Sequence, residues 1–222
     1  KEAKIYKPIF RKYNYIDSIG ETVQDPKIKE IIKFFNSDKA FYSLNGTHDD
    51  LGEYSHFTSP IRRYIDIITH RMLWGSITKD TIQITHLDLE ELIENINFRN
   101  IEIKKASRES YRLHESYIRS KTKNLETKTG KIVRFGNNSI TVYFDDENFT
   151  VSCKLVPEKL SKEDYSIKAD NHILKIKIYE HQETLKLGQT VKVNVLASFN
   201  SPKLSDKLTG QLIEPDLRDF YL

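Results

Sequence analysis

Thr127-Lys128-Thr129-Gly130-Lys131-Ile132-Val133-Arg134-Phe135-Gly136-Asn137-Asn138-Ser139-Ile140-Thr141-Val142-Tyr143-Phe144 decides how this chain is built. Its apolar and polar side chains tend to alternate on either side of Gly136-Asn137-Asn138, and that tripeptide is a hairpin signal. Strands are therefore expected at Thr127–Phe135 and Ser139–Phe144. The same period continues downstream, giving further strands at Thr150–Leu155, His172–Tyr179, Thr190–Ser198 and Lys207–Glu214. Short strands at this density suit a small antiparallel β-barrel such as an OB fold.

Upstream of Asn124 the period is helical. Asp25-Pro26 places a capping carboxylate before a proline suited to the first helical position, and Ile28, Ile31, Ile32 and Phe35 follow at helical spacing. A helix is expected over Pro26–Phe35. Ser59-Pro60 repeats the signal. It leads into a stripe of Ile61, Tyr64, Ile65, Ile68, Met72 and Leu73, with Arg62, Arg63, Asp66 and His70 opposite and Trp74 read as core. Asp88 with Glu91 opens a long helix expected over Leu87–Lys121. The class is thus α+β, with a helical part at 1–124 and a barrel at 125–222.

The 222 residues make one large or two small domains. Hydrophobic residues are 38% and charged residues 30%, and 12 tyrosines with 11 phenylalanines supply bulk for cores, which argues against disorder throughout. No apolar run approaches the ~20 residues of a membrane span, and Lys1-Glu2-Ala3-Lys4-Ile5-Tyr6 has no apolar signal region. The single Cys153 excludes an internal disulfide framework and a multi-cysteine zinc site, which fits a reducing, intracellular setting. A net charge of +3 is too mild to identify a nucleic-acid partner by itself, so the placement of charge matters. The only methionine is Met72, which suggests a processed terminus or a piece of a longer protein.

The chemistry concentrates in Tyr54-Ser55-His56-Phe57-Thr58-Ser59-Pro60-Ile61-Arg62-Arg63-Tyr64. Polar side chains run directly into an expected helix N-terminus, where unpaired N–H groups favour anions. Arg62, in the expected first turn, adds a planar donor fork suited to a phosphodiester. The competing reading pairs Arg62 with Asp66, four residues on, across a solvated face. His56 and His70 read as structural histidines rather than metal ligands.

This string, with Asp66 and His70-Arg71 following, resembles the signature of the RNase II/RNB family of exoribonucleases. Asn97-Phe98-Arg99 and Ala106-Ser107-Arg108 resemble that family's following long helix. Gly210-Gln211-Leu212-Ile213-Glu214-Pro215 resembles the end of its C-terminal OB-type RNA-binding barrel. The resemblance implies processive hydrolysis of single-stranded RNA from the 3′ end to nucleoside 5′-monophosphates, driven by two Mg²⁺ ions. It implies that Arg62 holds the scissile phosphate, that His56, Thr58, Ser59 and Arg63 contact the terminal nucleotides, and that Arg108 stands by the active site. It also implies association with an RNA-decay complex such as an exosome, with the protein itself a cytoplasmic or nuclear monomer away from membranes.

The family's closely spaced metal-binding aspartates are not matched by Asp17, Asp25, Asp38, Asp49 or Asp50. No metal ligand is therefore assigned in this chain. The expectation is the C-terminal portion of a larger Mg²⁺-dependent enzyme, inactive alone, or else a non-catalytic RNA-binding paralogue or scaffold.

In the barrel, Arg119, Lys121, Lys123, Lys128, Lys131 and Arg134 lie near Phe135, Tyr143 and Phe144 in sequence. Basic residues interleaved with aromatics suit a single-strand path. Phe144 is expected inside, Tyr143 as a base-stacking residue and Lys131 on phosphate, against the rival that a small barrel needs its aromatics for filling. Lys175 and Lys177 share one strand face.

Overall fold

The computed structural model describes residues 9–12, 23–37, 39–45, 52–79, 84–121, 126–157, 159–170 and 172–220. In chain order the elements are β1 (Phe10–Lys12), α1 (Pro26–Asn36), β2 (Phe41–Ser43), α2 (Tyr64–Thr78), α3 (His86–Lys121), β3 (Glu126–Phe135), β4 (Ser139–Phe144), β5 (Phe149–Lys154), β6 (Tyr165–Asp170), β7 (Ile173–Ile178), β8 (His181–Lys186), β9 (Thr190–Ala197) and β10 (Leu208–Glu214). The chain forms two compact units, one from residues 1–15 and 37–106, the other from 16–36 and 107–222. The two compact units part within α3, and α1 belongs with the barrel unit.

In the first unit β1 and β2 pair antiparallel. Tyr42 and Leu44 pack with Ile65, Ile68 and Met72 of α2 and with Leu89 and Ile93 of α3. Asn97 fixes β2 to α3 at two points: the Tyr42 N–H donates to its Oδ1, and its Nδ2 donates to the Tyr42 carbonyl, both at 2.8 Å. α3 starts one residue before the expected Leu87, and its cap is Thr85. The Thr85 hydroxyl accepts from the Asp88 N–H at 3.2 Å, and the Asp88 carboxylate accepts from the Thr85 N–H at 2.9 Å, a reciprocal box of the kind that satisfies exposed amide donors. Trp74 is 65% exposed, which corrects its reading as core: the buried face of α2 carries Ile65, Ile68, Met72 and Gly75, and Trp74 lies off it.

The second unit is organised by a closed barrel in the order β3–β4–β5–β10–β9, with β9 returning to β3. The expectation of a wholly antiparallel barrel is corrected at one place. β10 lies parallel to β5, with Gly210 opposite Cys153, because the chain re-enters beside β5 in the same direction after a long excursion. That excursion is an antiparallel meander, β6–β7–β8, of which only β7 is expected from the sequence. β8 reads His-Gln-Glu-Thr-Leu-Lys and buries only Leu185, too sparse a pattern to announce a strand. Leu174, Ile176, Ile178 and Leu185 of the meander join the same core as the barrel strands.

Helix α1 begins as expected, with the Asp25 carboxylate accepting from the Lys27 N–H at 3.0 Å. It packs on the outside of β3: Ile28 and Ile32 share the barrel core, and the Asn36 amide donates to the Val133 carbonyl at 2.8 Å. Both faces of β3 are consequently covered, and the consecutive Ile132 and Val133 are each fully buried.

Gly210 shows how tightly the barrel closes. A Cβ there would stand 2.4 Å from Cys153 Sγ and 2.8 Å from Val193 Cγ1. Gly210→Val is therefore expected to destabilise the protein by about 1–3 kcal/mol through overpacking. Urea unfolding monitored by circular dichroism checks this, and an unchanged midpoint would show that the closure yields without strain.

Candidate phosphate site

The motif segment belongs to the first unit, and its backbone is held from several sides. The Ser55 hydroxyl donates to the Ile9 carbonyl at 2.7 Å. His56 Nδ1 and the Tyr42 hydroxyl are 2.7 Å apart, and the imidazole also meets the Tyr54 ring edge-on at 5.6 Å. His70 Nε2 lies 2.6 Å from the Phe57 carbonyl; a carbonyl only accepts, so that nitrogen carries the proton. The Phe57 ring rests on the same imidazole at 4.2 Å. Both imidazoles are thus held by polar and ring contacts to the surrounding chain.

Between them and α2 the chain makes a tight turn. The Ser59 carbonyl accepts from the N–H groups of both Arg62 (3.2 Å) and Arg63 (3.1 Å). This corrects the expected helix start at Ser59-Pro60. The helix begins at Tyr64, with Arg63 as an extended cap residue at φ −128°, so Arg62 lies on the preceding turn rather than in the first helical turn. Asp66 is the hub of this arrangement and is fully buried. Its Oδ2 accepts from the Ser59 N–H at 2.7 Å, while Arg63 Nε and Nη2 reach its two oxygens at 3.0 and 2.9 Å. Burial pushes the Asp66 carboxyl up. The Arg63 fork and the Ser59 amide outweigh it and hold the group below its ordinary 3.8.

The sequence left open a pairing of Arg62 with Asp66; the carboxylate takes Arg63 instead. Arg63 is thereby turned inward as a brace. Pro60, Ile61 and Arg62 form an exposed tip, with Ile61 97% exposed. The Arg62 guanidinium makes no hydrogen bond or ion pair with the described residues, and Thr58 beside the turn is also exposed. What results is an immobilised turn presenting one unspent planar donor group to solvent, which suits a phosphate oxygen pair. Sequence reading quotes Asp66 and Asn97 within the family-like segments but gives neither its positioning role. The i,i+3 spacing of Arg63 and Asp66 was the available signal for the first.

The remaining candidates lie in the second unit. Arg108 is exposed on α3. Lys131 pairs with Asp25 at 3.3 Å. Tyr143 is only 5% exposed and its hydroxyl donates to Asn148 Oδ1 at 3.1 Å, so its ring is not open for stacking. The expected contrast between Tyr143 and Phe144 fails because the outer face is covered as well as the inner one. Arg119 and Lys128 are likewise engaged, both bonded to Glu147, with the Arg119 guanidinium 4.6 Å from the centre of the Phe149 ring. Asp17, Asp38, Asp49 and Asp50 lie outside the described residues. Among the described residues no group of three or more histidine, cysteine, aspartate or glutamate side chains converges as metal ligands do.

Comparison with known proteins agrees with the resemblance carried by the motif. Residues 11–79 match the RNB domain family. The "Probable exosome complex exonuclease RRP44" of Caenorhabditis elegans is 38% identical over 94 residues, covering 40% of this chain and 10% of that protein. "Ribonuclease R" of Mycoplasma genitalium is 35% identical over 120 residues, covering 50% of this chain and 16% of that protein. A solved structure of Mycoplasma genitalium RNase R in complex with ribose methylated single-stranded RNA superposes with a TM-score of 0.62 at 25% identity, over 85% of this chain and 30% of the other. The chain thus spans less than a third of each of these relatives.

Proposed function

We propose, taking residues 11–79 as RNB-domain sequence, that this chain is part of a processive hydrolytic 3′→5′ exoribonuclease acting on single-stranded RNA. The observation that carries the reading is the braced turn at Ser59–Arg63, which leaves Arg62 unspent while Asp66 holds its neighbour. Arg62 would grip the scissile phosphate, with its fork fixed in place before the negative charge develops. Thr58 and the Ser59 turn would lie beside the terminal nucleotides.

The barrel is read as OB type. Its order, β3–β4–β5–β10–β9 and back to β3, places the first, second, third, fifth and fourth strands side by side. OB barrels bind oligonucleotides through one face and two of their loops, and here the barrel would guide the incoming strand. The metal chemistry, two Mg²⁺ ions in the whole enzyme, would rest on ligands other than these described residues. An intracellular, monomeric enzyme, able to join an RNA-decay complex, belongs to the same reading.

The native protein isolated from its source cells, given 5′-labelled single-stranded RNA and Mg²⁺, is expected to shorten it stepwise from the 3′ end and release nucleoside 5′-monophosphates. Retention of intact RNA under the same conditions would favour the non-catalytic RNA-binding paralogue, and neither cleavage nor retention would favour a scaffold.

A further inference from the structure

The residues first suspected of contacting RNA in the barrel unit are mostly occupied: Lys131 by Asp25, Lys128 and Arg119 by Glu147, and Tyr143 by burial. A different group in the same unit is open. Tyr117, near the end of α3, is 45% exposed, and Phe199, in the loop between β9 and β10, is 37% exposed. Their rings meet edge to face with centroids 5.4 Å apart. Each ring carries an ammonium group, Lys121 Nζ at 4.2 Å from the Tyr117 centroid and Lys207 Nζ at 5.0 Å from that of Phe199. Lys207 Nζ also donates to the Phe199 carbonyl, which ties the loop to the start of β10. Neither lysine has an acidic partner among the described residues.

We infer that Tyr117 and Phe199, with Lys121 and Lys207, form a stacking subsite for the bases of single-stranded RNA. This rests on the RNA-binding reading of the barrel. The chemistry is specific to that ligand class. An exposed Phe ring offers no hydrogen bond, so it gains by contact with a flat π-face, and two partly exposed rings inclined at 62° would take successive bases. An ammonium lying over such a ring is already attracted by its π electrons and can turn a second N–H toward a phosphate oxygen. A base on the ring with its phosphate on the lysine is the arrangement by which sequence-tolerant single-strand binders hold each nucleotide. The loop itself, between the last two barrel strands, is one of the two that OB barrels use for oligonucleotides. Sequence reading passed over Phe199 because Asn200, Ser201 and Pro202 mark its surroundings as an ordinary loop.

The test measures binding of the full chain to a fluorescein-labelled oligoadenylate by anisotropy at low salt. Tyr117→Ala and Phe199→Ala are each expected to weaken binding roughly tenfold, whereas Tyr117→Phe, which keeps the ring, is expected to bind as the parent does. Lys121→Gln with Lys207→Gln is expected to weaken binding and to flatten its salt dependence. A parent that binds while both alanine variants bind equally well overturns the subsite and leaves the RNA reading standing. A parent that does not bind overturns both. If an alanine variant fails to fold, photocrosslinking of 5-bromouridine RNA to the parent decides. Crosslinks mapped to Tyr117 or Phe199 by mass spectrometry support the subsite, and crosslinks confined to other residues overturn it.

Discussion

On the proposed function, Arg62→Ala in the whole enzyme is expected to slow phosphodiester hydrolysis by about 10²–10³-fold, the usual loss when one fixed donor to a developing charge is removed. RNA affinity is expected to change only a few fold, because the remaining contacts along the strand are untouched. That the change acts on function and not on the fold follows from the placement of Arg62. It sits at an exposed tip, bonded to none of the described residues, so its removal leaves the turn and the core intact. The fold should lose no more than about 0.5 kcal/mol, as for ordinary surface substitutions. Single-turnover cleavage at saturating protein gives the rate, and filter binding in calcium gives the affinity. Equal losses in both would mean uniform binding rather than a role at the reacting phosphate. Arg62→Lys is expected to recover only part of the rate, since a single ammonium cannot present two parallel donors to one phosphate.

Asp66→Ala is expected to act on the fold itself, at a cost of about 3 kcal/mol, because it leaves the Arg63 guanidinium and the Ser59 amide without their shared acceptor. The only tryptophan, Trp74, lies on the same helix, so its fluorescence during urea unfolding reports this unit directly. A loss below about 0.5 kcal/mol would mean that the pair behaves like an exposed salt bridge. The pH dependence has a definite sign. The Asp66 carboxyl is held below its ordinary 3.8 in the folded protein, so the unfolded chain takes up the proton first as the medium is acidified. The stabilisation is complete above that value and fades as pH falls through the lower, folded one. The gap between parent and Asp66→Asn should therefore be full at neutral pH and close in strong acid.

The parts of the structure that a sequence announces are those where one local signal decides. Asp25-Pro26 caps and opens α1, and the hairpin at Gly136-Asn137-Asn138 joins β3 to β4. Reading fails where two partners compete for one strand. Tyr143 and Phe144 should have faced opposite environments, but both are buried, so alternation no longer separates inside from outside. It fails again at Ser59-Pro60, which carries every mark of a helix start. There the Ser59 amide is claimed by a buried carboxylate seven residues later, and the chain turns before the helix begins. The identity of the motif was legible because it is long and local. The brace beneath it was not, since Arg63 and Arg62 look alike until one of them finds Asp66.

The parallel contact between β10 and β5 also sets an order of events during biosynthesis. β4 can pair with β3, and β5 with β4, as each leaves the ribosome. β5 must then wait, its outer edge unpaired, while the meander and β9 are translated, because the strand that seals it comes last. An open strand edge is the feature by which chains adhere to one another, and late, long-range pairing is the slow step of β-rich folding. The nascent protein is thus most exposed to misassembly in the interval between β5 and β10. Ribosome pausing or truncation within that interval should yield aggregated chains, whereas release after β10 should yield soluble ones.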